Sequence, residues 1–321
     1  MTDAAAAPKR LAICGYGRVA AYSRAAVDAH PKLTLTAVAD PDPKHGAAAG
    51  VPAFSTLTEL LDAVEVDAVI VSTPTGRHVD AATAALQSGA HVLLEKPATT
   101  NLAEFDRLSA LADAKTCSLH TAFHARFAPN LDWLVERLHD LTSELGSVSR
   151  VQSTFNDPYW HDDTLRPAAQ SLGGSWVDSG INALSVIARL VDNVTVTSLH
   201  SQSESGCDDV ETTAQIGFET GRGEIVTSWR KPKSYKQTVL GFANSQTRIR
   251  LEHSSHSVWR DDPGEPTRCL VTYRPEGQPH PRRLVSHYEG VIDEFSRVLS
   301  GELDNRTLSR HLHSELFRTR L

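Results

Sequence analysis

The chain has 321 residues, 40% of them hydrophobic and 22% charged, with a formal net charge of −7. That length exceeds what one hydrophobic core usually fills, so two domains are expected. The negative balance argues against a general nucleic-acid binder, which needs a basic surface, and no apolar run is long enough to span a bilayer.

Residues 1–9 read as a tail, since no apolar core of secretory type follows Lys9 and Arg10. Leu11 to Cys14 reads as a short strand running into Gly15-Tyr16-Gly17-Arg18-Val19-Ala20, with a helix predicted to about Ala29. Two glycines in a G-x-G-x-x-A pattern allow a tight turn and close backbone approach to a pyrophosphate, which the following helix N-terminus attracts. Leu33 to Ala39 is a second strand ending in Asp40. An acid there can accept hydrogen bonds from the adenosine ribose, or can simply start the turn before Pro41. Helices are predicted at Thr58–Val64, Arg77–Ser88 and Asn101–Lys115, alternating with strands at Asp67–Ser72, Ala90–Lys96 and Cys117–Phe123. Such alternation means a doubly wound parallel sheet covered on both faces, with ligands bound beyond the carboxyl ends of its strands. Gly15, Asp40, Thr73-Pro74-Thr75 and Lys96 all fall at those ends.

Lys96 stands where a buried strand runs out, between Glu95 and Pro97. Partial burial lowers a lysine's pKa and suits it to exchange protons near neutrality. A surface Glu–Lys pair closing a strand is the plainer alternative. Pro97 fixes the chain's exit and is a candidate for a cis bond.

Taken together, G-x-G-x-x-A, then Ser72-Thr73-Pro74-Thr75 with His78, then Glu95-Lys96-Pro97 resemble the glucose–fructose oxidoreductase/inositol dehydrogenase (Gfo/Idh/MocA) family. The similarity covers residues 10–190. It implies a Rossmann domain over 10–124 binding NAD or NADP, with Lys96 in the active site. By that resemblance the cofactor contacts are Gly15, Tyr16, Gly17, Arg18, Val19, Asp40, Ser72, Thr73, Pro74, Thr75, His78, Glu95 and Lys96. A structural role at the helix start is the alternative for His78. NAD is favoured, because Asp40 would repel a 2′-phosphate, although Lys44 and His45 soften this.

Beyond Phe123 the character changes, and residues 125–321 are expected to form an α+β substrate and oligomerisation domain. His124 to Pro129 resembles the family's Arg-Phe-x-Pro crossover, and Arg126 is a candidate for holding substrate or a backbone carbonyl. An amphipathic helix is predicted at Leu131–His139 and a strand at Ser149–Phe155. The polar segment Asn156–Ser171 follows, in which Trp160 and His161 are candidate substrate contacts; an aromatic in a loop can equally pin it to the core. In Gly173 to Asn182, Val177 and Ile181 open a helical apolar stripe, while Asp178 and Asn182 lie one turn apart on the neighbouring face. Buried polar side chains there need partners, which a hydroxyl-rich ligand supplies. The related family pattern is Gly-Gly-x-x-x-Asp-x-Gly-x-His, and Asn182 stands at the histidine, the usual acid/base candidate. From Val194 onward, alternating segments and the turn signals Gly221-Arg222-Gly223 and Ala243-Asn244-Ser245 suggest a largely antiparallel open sheet with one face for a partner subunit. A homodimer or homotetramer is expected. The last helix is predicted at His287–Leu299, with a charged tail that packs or frays.

Four cysteines (Cys14, Cys117, Cys207, Cys269) lie far apart, so neither a metal site nor a disulfide framework is indicated, and a reducing cytoplasm fits. The leading expectation is hydride transfer between a nicotinamide and a sugar or polyol. Lys96 would exchange the hydroxyl proton, with Asp178 and Asn182 orienting the substrate. A run from Asp178 to Ser185 similar to the aldose (galactose or arabinose) 1-dehydrogenase branch points to oxidation at C1. The alternatives are an inositol or ketosugar enzyme of the same family, and a dinucleotide-binding sensor without catalysis.

Overall fold

The computed structural model describes residues 7–162, 164–273, 283–304 and 306–318. Two compact units emerge, one of residues up to 124 with 283–313, the other of residues 125–273 with those from 314 on.

The first unit is built on a parallel sheet of β1 (Lys9–Cys14), β2 (Leu33–Ala39), β3 (Ala53–Phe54), β4 (Ala68–Val71), β5 (His91–Glu95) and β6 (Leu119–Ala122), in the order β3-β2-β1-β4-β5-β6. β4 is buried along its whole length, as a strand covered on both faces requires. The covering helices are α1 (Ala20–Ala29), α2 (Pro43–Ala48), α3 (Leu57–Ala63), α4 (His78–Gln87) and α5 (Leu102–Ala114). Local signals set their ends: Thr56 and Glu59 form a capping box on α3, and Asn101 caps α5 by accepting the Glu104 N–H. Strand order reverses between β1 and β4, the position where such sheets bind ligands. Cys14 pairs with Val71 there, which sets Gly15 beside Ser72.

The unit is completed by α8 (Arg283–Leu299) and the part of α9 (Arg306–Phe317) that reaches His313. These residues were expected in the second domain. They belong to the first because α8 carries an apolar stripe, Tyr288, Val291, Ile292, Phe295 and Val298, all buried, and packs on α1.

In the second unit, α6 (Pro129–Leu145) precedes β7 (Val148–Asn156), the short pair β8 (Trp160–His161) and β9 (Thr164–Leu165), and α7 (Ile181–Ile187). The strands β10 (Thr195–Glu204), β11 (Cys207–Phe218), β12 (Gly221–Ser228), β13 (Tyr235–Phe242), β14 (Ser245–Glu252), β15 (Ser257–Asp261) and β16 (Arg268–Thr272) follow. With β7 they form an eight-stranded sheet, β10-β11-β12-β7-β13-β14-β15-β16, antiparallel except for β12 beside β7. Gly221 and Gly223, expected in a hairpin turn, sit inside β12. A side chain at Gly221 would come within 2.1 Å of Ser149 O, and at Gly223 within 2.3 Å of Val151 O. The β11–β12 hairpin turns at Glu219-Thr220, with Gly221 paired to Phe218, so Gly221 closes the turn while Gly223 serves close backbone approach within the strand.

The segment leading into α7 is tied to the sheet by one buried acid. Asp209 accepts the Trp176 N–H (2.6 Å), the Ser175 hydroxyl (2.7 Å) and the Thr212 hydroxyl (2.7 Å). Asp209→Ala strands these donors in the interior and should lower stability by about 3 kcal/mol. A urea denaturation series reads this directly, and a midpoint equal to that of the parent would refute the anchoring role.

Candidate active site

Gly15 closes β1 with a φ of +85°, and a side chain there would lie 2.7 Å from Thr73 N and 2.8 Å from Ser72 C. Only glycine fits that crossing. The Ser72 hydroxyl donates to Gly15 O at 2.7 Å, locking the ends of β1 and β4 together. At Gly17, by contrast, a Cβ would meet nothing within 4 Å, so the backbone there lies open to a ligand. α1 starts with no side-chain cap and no acid in its first turn, which leaves its N–H groups for an anion. Thr73 Oγ1 is buried without a hydrogen-bond partner. These are features that a dinucleotide's pyrophosphate and sugar would meet.

Asp40 closes β2 and already serves the glycine loop. Its Oδ2 accepts the Tyr16 N–H at 2.6 Å, and its Oδ1 accepts the Asp42 N–H at 2.9 Å and faces His45 Nδ1 at 3.1 Å. Burial alone would raise its pKa, but the N–H groups of Asp42 and Tyr16 and the nearby His45 bring it below the ordinary value. It stays ionised, and a carboxylate keeps lone pairs for ribose hydroxyls beyond those N–H groups.

At the end of β5 the Lys96–Pro97 peptide is cis. Lys96 itself is half-buried, between buried Glu95 and buried Pro97. Glu95 accepts the Tyr288 hydroxyl at 2.8 Å. Burial pushes its carboxyl up to about 7, although Tyr288 and the Lys96 charge pull the other way. The buried His78 ring spans two loops, with Nε2 2.8 Å from Thr73 O and Nδ1 3.1 Å from Pro97 O. Burial lowers its pKa, so the ring is neutral and donates to one carbonyl at a time. His313 fixes the next residue, accepting the Ala98 N–H at Nε2 (2.9 Å) while Nδ1 lies 2.6 Å from Ser309 O.

In the second unit, Trp176 to Gly180 forms one wide turn before α7, a distortion that often marks a functional segment. It is tightly packed: a side chain at Gly180 would strike the Trp176 ring at 2.4 Å, and Trp176 Nε1 donates to Leu316 O at 2.9 Å. Asn182 Nδ2 reaches back to Asp178 O at 3.4 Å, while its Oδ1 is buried with no donor. Asn156 Oδ1, at the end of β7, is a second buried carbonyl without a donor. Beside them Asp157 binds the hydroxyls of Ser179 (3.3 Å) and Ser234 (3.1 Å) and pairs with Lys236 at 2.9 Å. Unfilled acceptors next to hydroxyls and an ion pair are what a polyhydroxylated molecule can bind.

Residues 9–123 match the oxidoreductase family with an NAD-binding Rossmann fold, Gfo/Idh/MocA. The match lies within the first unit and does not extend into the second. Relatives include D-xylose 1-dehydrogenase (NADP(+)) 2 of Haloferax volcanii, 35% identical over 53% of this chain and 49% of that protein. Galactose 1-dehydrogenase of Pseudomonas fluorescens is 32% identical over 57% of this chain and 58% of its own. The chain thus spans about half the length of these curated relatives. An inositol dehydrogenase homologue from Azotobacter vinelandii, solved with NADH and myo-inositol, superposes with a TM-score of 0.77 at 18% identity, covering 98% of this chain and 94% of that one. That likeness shows a shared fold.

Among the positions expected to touch a cofactor, the structure brings Gly15, Tyr16, Asp40, Ser72 and Thr73 together around one loop crossing. His78 and Glu95 are set behind that surface: their side chains are buried and bonded to backbone or to Tyr288, so they hold the loops and do not face a ligand. In the second unit Asp178 and Asn182 do share one turn. Trp160 does not join them, because its ring is buried in a satellite core with Ala169, Cys207, Val210 and Trp229. His161 is exposed, with Nδ1 2.7 Å from the Asp162 carboxylate. The Arg126 carbonyl accepts the Arg189 guanidinium at 2.6 Å, and its own guanidinium lies 5.5 Å from the Phe127 ring. Asp157 lies in the polar segment that the sequence places over a ligand, whereas Lys236, Tyr288 and His313 are supporting residues that sequence motifs do not single out.

His313 makes a testable demand on pH. Only a neutral ring can donate from Nδ1 and accept at Nε2, and burial lowers its pKa from 6.5 to about 4. Since the folded value lies below the unfolded one, the unfolded chain takes up the proton first as pH falls. Stability is full above pH 6.5 and is lost progressively down to about pH 4, at about 1.4 kcal/mol per pH unit. Urea midpoints across that window should show this slope, and His313→Gln should flatten it; an unchanged slope in the variant contradicts the assignment.

Proposed function

We propose that the protein is an NAD(P)-dependent dehydrogenase that oxidises an aldose at C1 to its lactone. The observation that carries the reading is the gathering of the glycine crossing, Asp40 and the Lys96 turn at the carboxyl ends of one parallel sheet. Bound nicotinamide would supply the hydride acceptor. Gly15 and Gly17 let the backbone approach the pyrophosphate, α1 attracts it, and Asp40 takes the ribose hydroxyls. Lys96 accepts the proton of the reacting hydroxyl and releases it to solvent afterwards. Within the second unit, Asp178, Asn182 and Asp157 are the groups suited to sugar hydroxyls.

Asn182 and the names of the relatives support C1 as the reacting carbon. A ring hemiacetal hydroxyl is more acidic than an ordinary secondary alcohol, and the ring oxygen donates electron density as hydride leaves. One lysine and a neutral amide then suffice without the histidine of the family pattern. That missing histidine favours a second reading, a dinucleotide-binding sensor; the presence of both Lys96 and Asp178 weighs against it.

Free cysteines fit a reducing cytoplasm. Among the described residues no helix is long and apolar enough to cross a membrane. Exposed Tyr235 on β13 and Tyr273 after β16 fit a homo-oligomer formed through the second unit's sheet.

Lys96→Ala should abolish turnover while leaving dinucleotide affinity nearly intact by fluorescence titration; substantial residual turnover removes Lys96 from the chemistry. NAD should bind more tightly than NADP, because the ionised Asp40 repels a 2′-phosphate, and equal or tighter NADP binding contradicts this. Hydroxylamine added during turnover should trap a hydroxamate from the lactone. Turnover of inositols with no activity on any free aldose would overturn the C1 assignment.

A further inference from the structure

The chemistry proposed above leaves one buried group unexplained. Glu95 is 8% exposed and Tyr288 2%, yet they are the polar ends of residues 193 positions apart, joined by a 2.8 Å hydrogen bond. The other carboxyl oxygen faces the Lys96 backbone N–H at 3.3 Å. The Tyr288 ring is held on two sides, stacked at 5.7 Å on Tyr22 of α1 and at 5.5 Å on His124 after β6, with His287 next to His124 at 5.9 Å. The phenol therefore has one direction in which to donate, and it donates to Glu95. An apolar side chain at position 95 would fill this core without desolvating a carboxyl, so packing alone does not account for it.

We propose that Tyr288 is a positioning residue for Lys96: by donating to Glu95 it keeps a carboxylate buried next to the lysine, where it stabilises the ammonium formed when Lys96 takes the substrate proton. The role rests on the dehydrogenase reading. The Glu95–Lys96 coupling that underlies it does not. No bond beyond the proton transfer is involved: the hydroxyl proton moves to the Lys96 amine, and Glu95 gains and loses no proton in the step. The titratable groups around the carboxyl are Tyr288 from α8, Lys96 as the next residue, Tyr22 from α1, and His124 against the phenol with His287 beside His124. Burial and the Glu95 charge keep Tyr288 protonated, so it stays a donor. The Glu95 carboxyl titrates at about 7, and both the Tyr288 bond and the Lys96 charge favour its ionised form. Loss of either should raise that value.

The test uses the full chain labelled with carboxyl-13C glutamate, with the Glu95 resonance assigned through Glu95→Gln and followed from acid to alkaline pH. The parent should titrate near 7, and both Tyr288→Phe and Lys96→Met should move the midpoint upward by about one unit. This needs no substrate, so it succeeds or fails independently of the enzymatic reading. A midpoint in the ordinary carboxylate range, or one that Lys96→Met leaves in place, overturns the coupling. In turnover, Tyr288→Phe should shift the acidic limb of kcat upward by the same amount, with rate regained at high pH and KM for the dinucleotide unchanged. A loss equal at every pH marks a merely structural tyrosine and overturns the positioning role. A shifted carboxyl in a protein that oxidises no sugar upholds the coupling and removes the dehydrogenase reading instead.

Discussion

The peptide from Glu95 to Ala98 is held by side chains from three distant places in the chain. His78 faces the Pro97 carbonyl, Tyr288 donates to Glu95, and His313 accepts the Ala98 N–H. All three are buried, so no water competes for these bonds, and each would leave an unsatisfied group if broken. The same His78 ring touches the Thr73 carbonyl, and Thr73 N packs against Gly15. Lys96 and the glycine crossing are thus set by one continuous hydrogen-bonded frame. The frame explains why residues 283–313 belong to the first unit: two of its three supports come from α8 and α9.

Periodicity makes the first unit legible. Apolar runs alternating with helical stretches locate its five longest strands, and G-x-G-x-x-A, Asp40 and Lys96 fall at strand ends because parallel sheets place ligands there. Tyr288 and His313 escape notice for the opposite reason. Each acts on a residue some 200 positions away, 193 for Tyr288 to Glu95 and 215 for His313 to Ala98, with no local pattern to reveal it. α9 reads as a charged tail because its buried residues, Ser309, Leu312, His313, Glu315, Leu316 and Phe317, are half polar. Glu315 is buried where it accepts the Val196 N–H at 2.7 Å. Glycine marks the β11–β12 hairpin to within two residues, because Gly221 closes the turn while Gly223 already sits in the strand, where the backbone of β7 comes close.

The second unit shows how little of a polar site sequence discloses. Asp178 and Asn182 stand out because helical spacing puts them side by side. Asp157 and Lys236 lie far apart in the chain, and only the pairing of β13 with β7, Tyr235 opposite Asn156, brings them together. Trp160 shows the converse: an aromatic in a polar loop looks like a sugar platform, yet it is a core residue that fastens the loop. What remains for a ligand is a set of unfilled acceptors, Asn156 Oδ1 and Asn182 Oδ1, suited to hydroxyl donors. An amide in place of an imidazole at position 182 keeps hydrogen bonding and removes proton exchange.

Hydride transfer from C1 is tested most directly by isotopic tracing. The protein would be incubated with NAD and an aldose carrying deuterium at C1, with D-galactose and D-xylose as the first choices, and the reduced dinucleotide analysed by mass spectrometry. One deuterium per turnover in the reduced nicotinamide, with a lactone lacking the label, is the predicted result. Reduced dinucleotide without deuterium, or label retained in the sugar product, would contradict it.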